Sequence, residues 1–408
     1  MSLRTKTTAA LFALVVLVAA ACSGDDDSEA DEPRGDAASG SEGGDLALDD
    51  PVKIVLLAET TGESEAAVPF LADAAQMAVD DLNEAGGLGG HDVEHDRVST
   101  PLDGAGAETA LLEAVEEEPT AMLGLVSSGQ VLAVAQRVGD AQIPVLYDAT
   151  VAEALVGAED SIANDYGFLI RPPQYEISAA LVRFVAENLG IERIGLVCVN
   201  NPFGTSGCEV AAEEADELGV DVVATETVEQ TDTDFTGSVV ELREAGAEAV
   251  VSYVFPGAVA SIHNALADND LDVPHISGSA SLIAFTGAIT SGNFANLYSL
   301  DDCAPAASTD ATVEEWAGRY EETFGYAPTY LSAEAYDGVM MIAAAVEAAG
   351  SSEPAAVRDA LAEIEHEGMC GSYRGEPSQG LNHQLAAVSF DGDSTVLEES
   401  YELEDYEP

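Results

Sequence analysis

The stretch Ile194–Val254, IGLVCVNNPFGTSGCEVAAEEADELGVDVVATETVEQTDTDFTGSVVELREAGAEAVVSYV, decides the fold. Ile194–Val199, Val220–Ala224 and Ala249–Val254 are short apolar runs of strand length. Between the first two, Glu213–Glu217 places its acids on the solvent face of a helix. Between the second and third, Phe235, Val239 and Leu242 recur at helical spacing. Strand, helix, strand, helix, strand predicts a parallel sheet covered on both faces, the hallmark of an α/β chain.

The same alternation extends outward. Val52–Leu57, Ala121–Val126 and Ile143–Tyr147 read as further strands, and Leu71, Ala75, Ala78 and Leu82 mark a helix between the first two. A long helix is expected around Tyr336–Ala348, and a last strand at Ala386–Phe390. No linker interrupts residues 51–408, so two lobes joined by several short crossings suit the chain better than two separate beads. Ligands of such sheets sit at the carboxyl ends of the strands, and two facing lobes enclose a cleft there.

The ends and the charge set the surroundings. The 408 residues carry 76 acidic against 13 basic side chains, a formal charge of -63, which excludes nucleic acid and docking on anionic lipid through charge. Hydrophobic residues, 47 % of the chain, suffice for a core. Residues 1–22 have the layout of an export signal: Arg4 and Lys6, an apolar run Ala9–Ala21, then small residues before Cys22. That ending resembles a bacterial lipobox, with Ala19 where the pattern prefers Leu. Lipidation of Cys22 is expected, ordinary signal cleavage being the alternative. Residues 23–50, rich in Ser, Gly, Asp and Glu, are expected to form a disordered acidic tether. No later apolar run approaches the roughly 18 residues of a membrane span. Anchor, tether and body describe an extracytoplasmic protein held at the outer face of the cell membrane.

Four cysteines remain, and an oxidising compartment favours pairing. Cys198–Cys208, across one strand-to-helix turn, and Cys303–Cys370 are the favoured bonds among three pairings, with free buried thiols as the alternative. No nucleotide-binding glycine motif, nucleophile elbow or H-E-x-x-H motif occurs, so no catalytic residue, metal or cofactor is expected. His91 and His95 share i, i+4 spacing, but beside the glycine-rich turn Gly86–Gly90 they read as exposed polar residues rather than zinc ligands. Asp391-Gly392-Asp393 lacks the further ligands of a calcium loop and reads as a turn. Three loops after strands carry a signal for binding. Ser127-Ser128-Gly129 precedes the helix-like Val131–Val138, where a serine caps backbone N–H groups and an anion is attracted. Tyr147-Asp148-Ala149-Thr150 and Asn200–Gly204 follow the next two strands considered.

With these loops in view, three stretches resemble the branched-chain amino acid binding family, the receptors of ABC importers with the type I periplasmic binding protein fold. They are AAQMAVDDLNEAGGLGG (Ala74–Gly90), TDTDFTGSVVELREAGAEAVV (Thr231–Val251) and AYDGVMMIAAAVEAAG (Ala335–Gly350), in the family's order. The resemblance runs from about Val52 to Phe390. It implies two Rossmann-like lobes with parallel sheets and three crossings, near Arg171-Pro172, Asp301-Asp302 and Ala386-Ala387. Lobe 1 would be 51–171 plus 302–386, and lobe 2 would be 172–301 plus 387–408. It implies that Ser128, or Ser127 beside it, meets a ligand carboxylate, and that Ala149 and Thr150 contact the same end. Phe203 would offer a ring face, with Tyr253, Val254 and Phe255 near the second aromatic position. The acid with which the family holds a ligand ammonium falls near Ser279, where this chain has no carboxylate. Either Asp148 replaces it or the ligand is an amide, urea-like solute or carboxylate. The expected function is a monomeric, lipid-anchored solute receptor that closes on a small polar molecule and delivers it to an ABC permease. The alternatives are a sensor of the same fold and, less favoured, an extracellular enzyme.

Overall fold

The computed structural model describes residues 46–58, 68–149, 164–278, 286–290, 292, 294–375, 380–382 and 384–402. Cys22, Thr150 and Ser279 lie outside the described residues. The packed body takes hold of the chain ahead of Pro51. Leu48 is buried, its N–H donates to Gly89 O at 3.2 Å and its carbonyl meets His91 Nε2 at 3.1 Å. A leucine within an acidic segment has an apolar surface to bury, and the Gly-rich turn receives it.

The first sheet has the order β2-β1-β3-β4-β5, all pairs parallel. It is built from β1 (Lys53–Ala58), α1 (Val68–Glu84), β2 (Glu94–Ser99), α2 (Gly104–Glu116), β3 (Ala121–Gly124), α3 (Ser128–Ala141), β4 (Val145–Tyr147) and β5 (Gly167–Leu169). Alternate residues of β1 point to opposite faces. Ile54 and Leu56 join one core with Leu71, Ala75 and Ala78 of α1, while Val55 and Leu57 join another with Leu111 of α2 and Val134 and Val138 of α3.

The chain then passes to a second sheet. There α4 (Gln174–Arg183), continued by a π-helical turn at Phe184–Asn188, leads into β6 (Arg193–Val199), α5 (Pro202–Leu218), β7 (Asp221–Val228), α6 (Thr236–Ala245), β8 (Ala249–Tyr253), α7 (Pro256–Asp268), β9 (His275–Gly278) and β10 (Leu297–Asp301). It returns to pack α8 (Ala311–Phe324) and α9 (Tyr330–Ala349) over the first sheet, followed by α10 (Pro354–Leu361) and the hairpin of β11 (Glu365–Glu367) and β12 (Ser372–Arg374). Finally β13 (Gln384–Phe390) and β14 (Thr395–Glu402) complete a seven-stranded sheet, β14-β13-β10-β9-β8-β6-β7. In it β13 pairs antiparallel with both β10 and β14, and the remaining pairs are parallel. Ala386-Ala387 thus lies inside β13, within the second sheet. The carboxyl ends of β3, β4, β6 and β8 carry the loops that bear the candidate site.

Candidate functional site

On the first sheet, a sharp turn aims the serines. Gly124 has φ +124°, and a Cβ there would stand 2.2 Å from Leu57 O, so only glycine fits. Leu125 follows at φ 62° and donates its N–H to the same carbonyl at 3.0 Å. A buried non-glycine residue in the left-handed region is held there by its surroundings. Ser127 caps α3, its N–H donating to Gln130 Oε1 at 3.1 Å, while Gln130 Nε2 donates to Pro101 O at 2.7 Å. Ser128 is the first residue of α3, where backbone N–H groups and the helix dipole favour an anion. Both serines are buried. The adjacent β4 loop is tied to this turn by Asp148 N–H donating to Gly124 O at 3.0 Å, with Ala149 buried behind it. Tyr147 does not join them: its ring lies in the α2–α3 core, closely against Gly167. Burial pushes its phenol up.

On the second sheet, Asn201 caps α5 by accepting from Gly204 N–H at 3.0 Å, Pro202 opens the helix, and Phe203 projects from its first turn. The helix starts close to its strand, since a Cβ on Gly204 would stand 2.1 Å from Val199 O. The Cys198–Cys208 disulfide fastens the end of β6 to α5. Phe203 and Phe255 are half-buried and stack with centroids 6.2 Å apart and planes 28° apart. Tyr253 meets Phe203 edge-on, also at 6.2 Å, but is fully buried against Gly207 and Gly278. Burial raises its phenol. Val254 packs in the α6–α7 core. The helix that follows the serine loop, α3, contacts α5, which carries Phe203, while Phe255 stands at the start of α7.

Residues 51–395 match the sequence model of the periplasmic binding protein family. The chain belongs to that family. Among its relatives, the chemotactic signal transduction system substrate-binding protein BasB of Halobacterium salinarum is 29 % identical over 155 residues. That alignment spans 37 % of this chain and only 37 % of the relative's length. The branched-chain amino acid transporter protein LivJ of Streptococcus pneumoniae, solved with isoleucine, superposes with a TM-score of 0.78 at 21 % identity, covering 86 % of this chain and 99 % of its own. An R. palustris solute-binding protein solved with benzoate also gives 0.78, at 15 % identity, covering 86 % and 96 %. The fold is the type I periplasmic one.

In this periplasmic binding protein, Asp148 faces inward. It is fully buried, and Arg171 Nε lies 4.0 Å from Oδ1. Arg171, just after β5, also makes a two-pronged pair with Asp302, just after β10, with Nη2 donating to Oδ1 at 3.1 Å. It approaches Glu334 of α9 at 3.8 Å and lies over the Tyr330 ring at 4.6 Å. Burial, beyond what Arg171 offsets, pushes the Asp148 carboxyl up to about 7 and that of Glu334 well above its ordinary range. Sequence reasoning missed this cluster. Its only signal was the position of Arg171 and Asp302 at two expected crossings. Nearby, Cys303 is bonded to Cys370, whose N–H donates to the buried Asp337.

Proposed function

We propose that this protein is the extracytoplasmic solute receptor of an ABC importer and performs no chemistry on its solute. The solute would sit between the β3 and β4 loops on one side and the β6 and β8 loops on the other. The reading rests on one observation above all: α3, which begins at the serine loop, contacts α5, which begins at the turn that carries Phe203. The two lobes would follow the two sheets, and the membership of Gln384 in β13 supports setting the third crossing ahead of it. Cys22 would anchor a monomer to the membrane's outer face.

The residues favour a small carboxylate with an apolar or aromatic body. Ser127, Ser128 and the N–H groups opening α3 suit its carboxylate, Ala149, and by the family resemblance Thr150, would meet the same end, and the phenylalanine rings suit its body. Asp148 is turned to Arg171 and so is not presented to a ligand ammonium, whose burial without a counter-charge is costly. The solved relative with benzoate is consistent with such a ligand. A thermal-shift screen of benzoate, 4-hydroxybenzoate, isoleucine, leucine, acetamide and urea tests this. Stabilisation by the benzoates is expected; a response to leucine and isoleucine alone would replace the carboxylate by an amino acid. The likeness to BasB favours a second reading, solute sensing without uptake. Uptake of labelled solute by cells with and without this chain separates the two.

A further inference from the structure

The cluster around Arg171 joins three parts of the chain that the proposed function requires to move together. Arg171 lies where the chain leaves the first sheet, Asp302 where it leaves the second, and Asp148 in the loop that continues into Ala149 and Thr150. The fourth member, Glu334, is in α9 beneath them. Arg171 is 5 % exposed and Asp148, Asp302 and Glu334 are 0 % exposed. One cation therefore faces three carboxylates away from water. Three ionised carboxylates around a single guanidinium leave a buried excess negative charge, which a protein relieves by keeping a proton. The hydrogen bonds set the three carboxylates apart. Asp302 takes the two-pronged pairing with Arg171. Glu334 Oε1 receives Asn382 Nδ2 at 3.4 Å, and its carboxyl also faces that of Asp302. Neither oxygen of Asp148 has a hydrogen-bond partner among the described residues, and its nearest cation, Arg171 Nε, stands at 4.0 Å. The remaining titratable neighbours add no positive charge: Tyr330 under the guanidinium, Asp301 bonded by Ser299 Oγ at 2.5 Å, and Tyr373 with Asp337 beyond Glu334.

We propose that Arg171 is a positioning residue of the solute site, holding the Asp148–Ala149 loop to the crossing at Asp302, with a proton kept on Asp148 or Glu334 setting the strength of that hold. With the proton in place, Arg171 draws the three segments together. Once it is lost, Asp148 and Glu334 repel Asp302 and each other, the β4 loop loosens from the crossing, and solute binding weakens. Asp148 carries the larger part of the effect, because its carboxyl is pushed up only to about 7, within the range of ordinary solution conditions. This coupling rests on the proposed site, whereas the proton itself does not.

The test uses the full chain, Asp148→Asn and Glu334→Gln, each exchange keeping the side chain's size while removing its charge. A carboxyl raised above its ordinary 3.8 stabilises the fold at low pH and loses that contribution as pH rises through about 7. The melting temperature of the parent should therefore fall from pH 6 to pH 8, and fall less in Asp148→Asn. Asp337 titrates in the same range, so the difference between the two proteins is the quantity read. Affinity for benzoate, which stays ionised throughout, should decline in the parent by up to about tenfold per pH unit above 7, the limit for one linked proton. It should be nearly flat in Asp148→Asn, with Glu334→Gln intermediate. Equal thermal slopes in the parent, Asp148→Asn and Glu334→Gln would overturn the proton. Unequal thermal slopes with a pH-independent affinity would overturn the coupling. Should neither benzoate nor isoleucine bind, the proposed site fails, while the thermal comparison still decides the cluster.

Discussion

Ser128 sits at the start of α3, where donors of the first helical turn converge on one point. If a carboxylate is held there, Ser128→Ala removes a charge-assisted hydrogen bond. Binding should weaken by about 1–3 kcal/mol, read by calorimetry on the best ligand of the screen; unchanged affinity would take Ser128 out of the site. Asp337 presents a different case. Fully buried in α9, it accepts from Met369 N–H at 2.7 Å, Cys370 N–H at 2.8 Å and the Tyr373 hydroxyl at 2.9 Å, and so fixes the loop that carries the Cys303–Cys370 bond. Asp337→Ala strands two buried donors and a half-buried one and should cost about 3 kcal/mol or more in a denaturant melt; a loss under about 1 kcal/mol would mean that water replaces the carboxylate. At this scale the sequence was only partly readable. Its serines and phenylalanines stand at the loops where the spacing put them. The direction in which Tyr147, Tyr253 and Asp148 point was not legible, because side chains at a strand end alternate between faces and one residue of register decides the face. The partners of Asp148 were hidden as well, since Asp302 and Glu334 are distant in sequence and meet only through the crossings.

Elements with a buried apolar run were legible. The runs at Val52–Leu57, Ala121–Val126, Ile194–Val199 and Ala249–Val254 became β1, β3, β6 and β8 to within a few residues, because strands covered on both faces have no polar alternation to blur them. The turn read at Asp391-Gly392-Asp393 links β13 to β14, its Asp391 Oδ1 accepting from Asp393 N–H at 2.9 Å and Ser394 N–H at 2.8 Å. By contrast, β14 gave no signal. It is an edge strand of sequence TVLEESYE with Val396 and Leu397 partly exposed among its acids, so neither an apolar run nor a clean alternation marks it. Likewise β10 ends in Asp301 at an expected crossing and pairs with β13 only through a distant part of the chain. The β6–α5 unit shows how tightly an element end holds its site residue. A methyl on Gly204 would meet Val199 O at 2.1 Å. Gly204→Ala should therefore shift the start of α5, destabilise the fold by about 1–3 kcal/mol and displace Phe203, so that stability and ligand affinity fall together. A variant that melts like the parent and binds like it would show that α5 has room to slide.

For the whole molecule, the order of three family-like stretches made the fold readable from the sequence, while the charge bears on how the body responds to salt. The described cations are largely taken up locally. Lys53 meets Asp96 at 3.1 Å and Glu117 at 2.6 Å, Arg137 meets Glu108 at 3.0 Å, and Arg183 meets Glu214 at 2.9 Å, while Arg193 and Arg243 cap backbone carbonyls. With 76 acidic residues against 13 basic ones, most surface carboxylates lack a cation and repel one another across the molecule. Such repulsion favours the expanded chain over the compact one, and it acts over distances that salt screens: about 30 Å at 0.01 M but about 3 Å at 1 M. The buried Arg171 cluster is largely shielded from this effect, since it is out of reach of mobile ions. Melting temperature should thus rise steeply from low NaCl to molar NaCl and do so equally in the parent and in Asp148→Asn, whose difference is one of pH. A melting temperature indifferent to salt would show that the surface acids are spaced too widely to matter, and a salt response lost in Asp148→Asn would place the repulsion in the buried cluster instead.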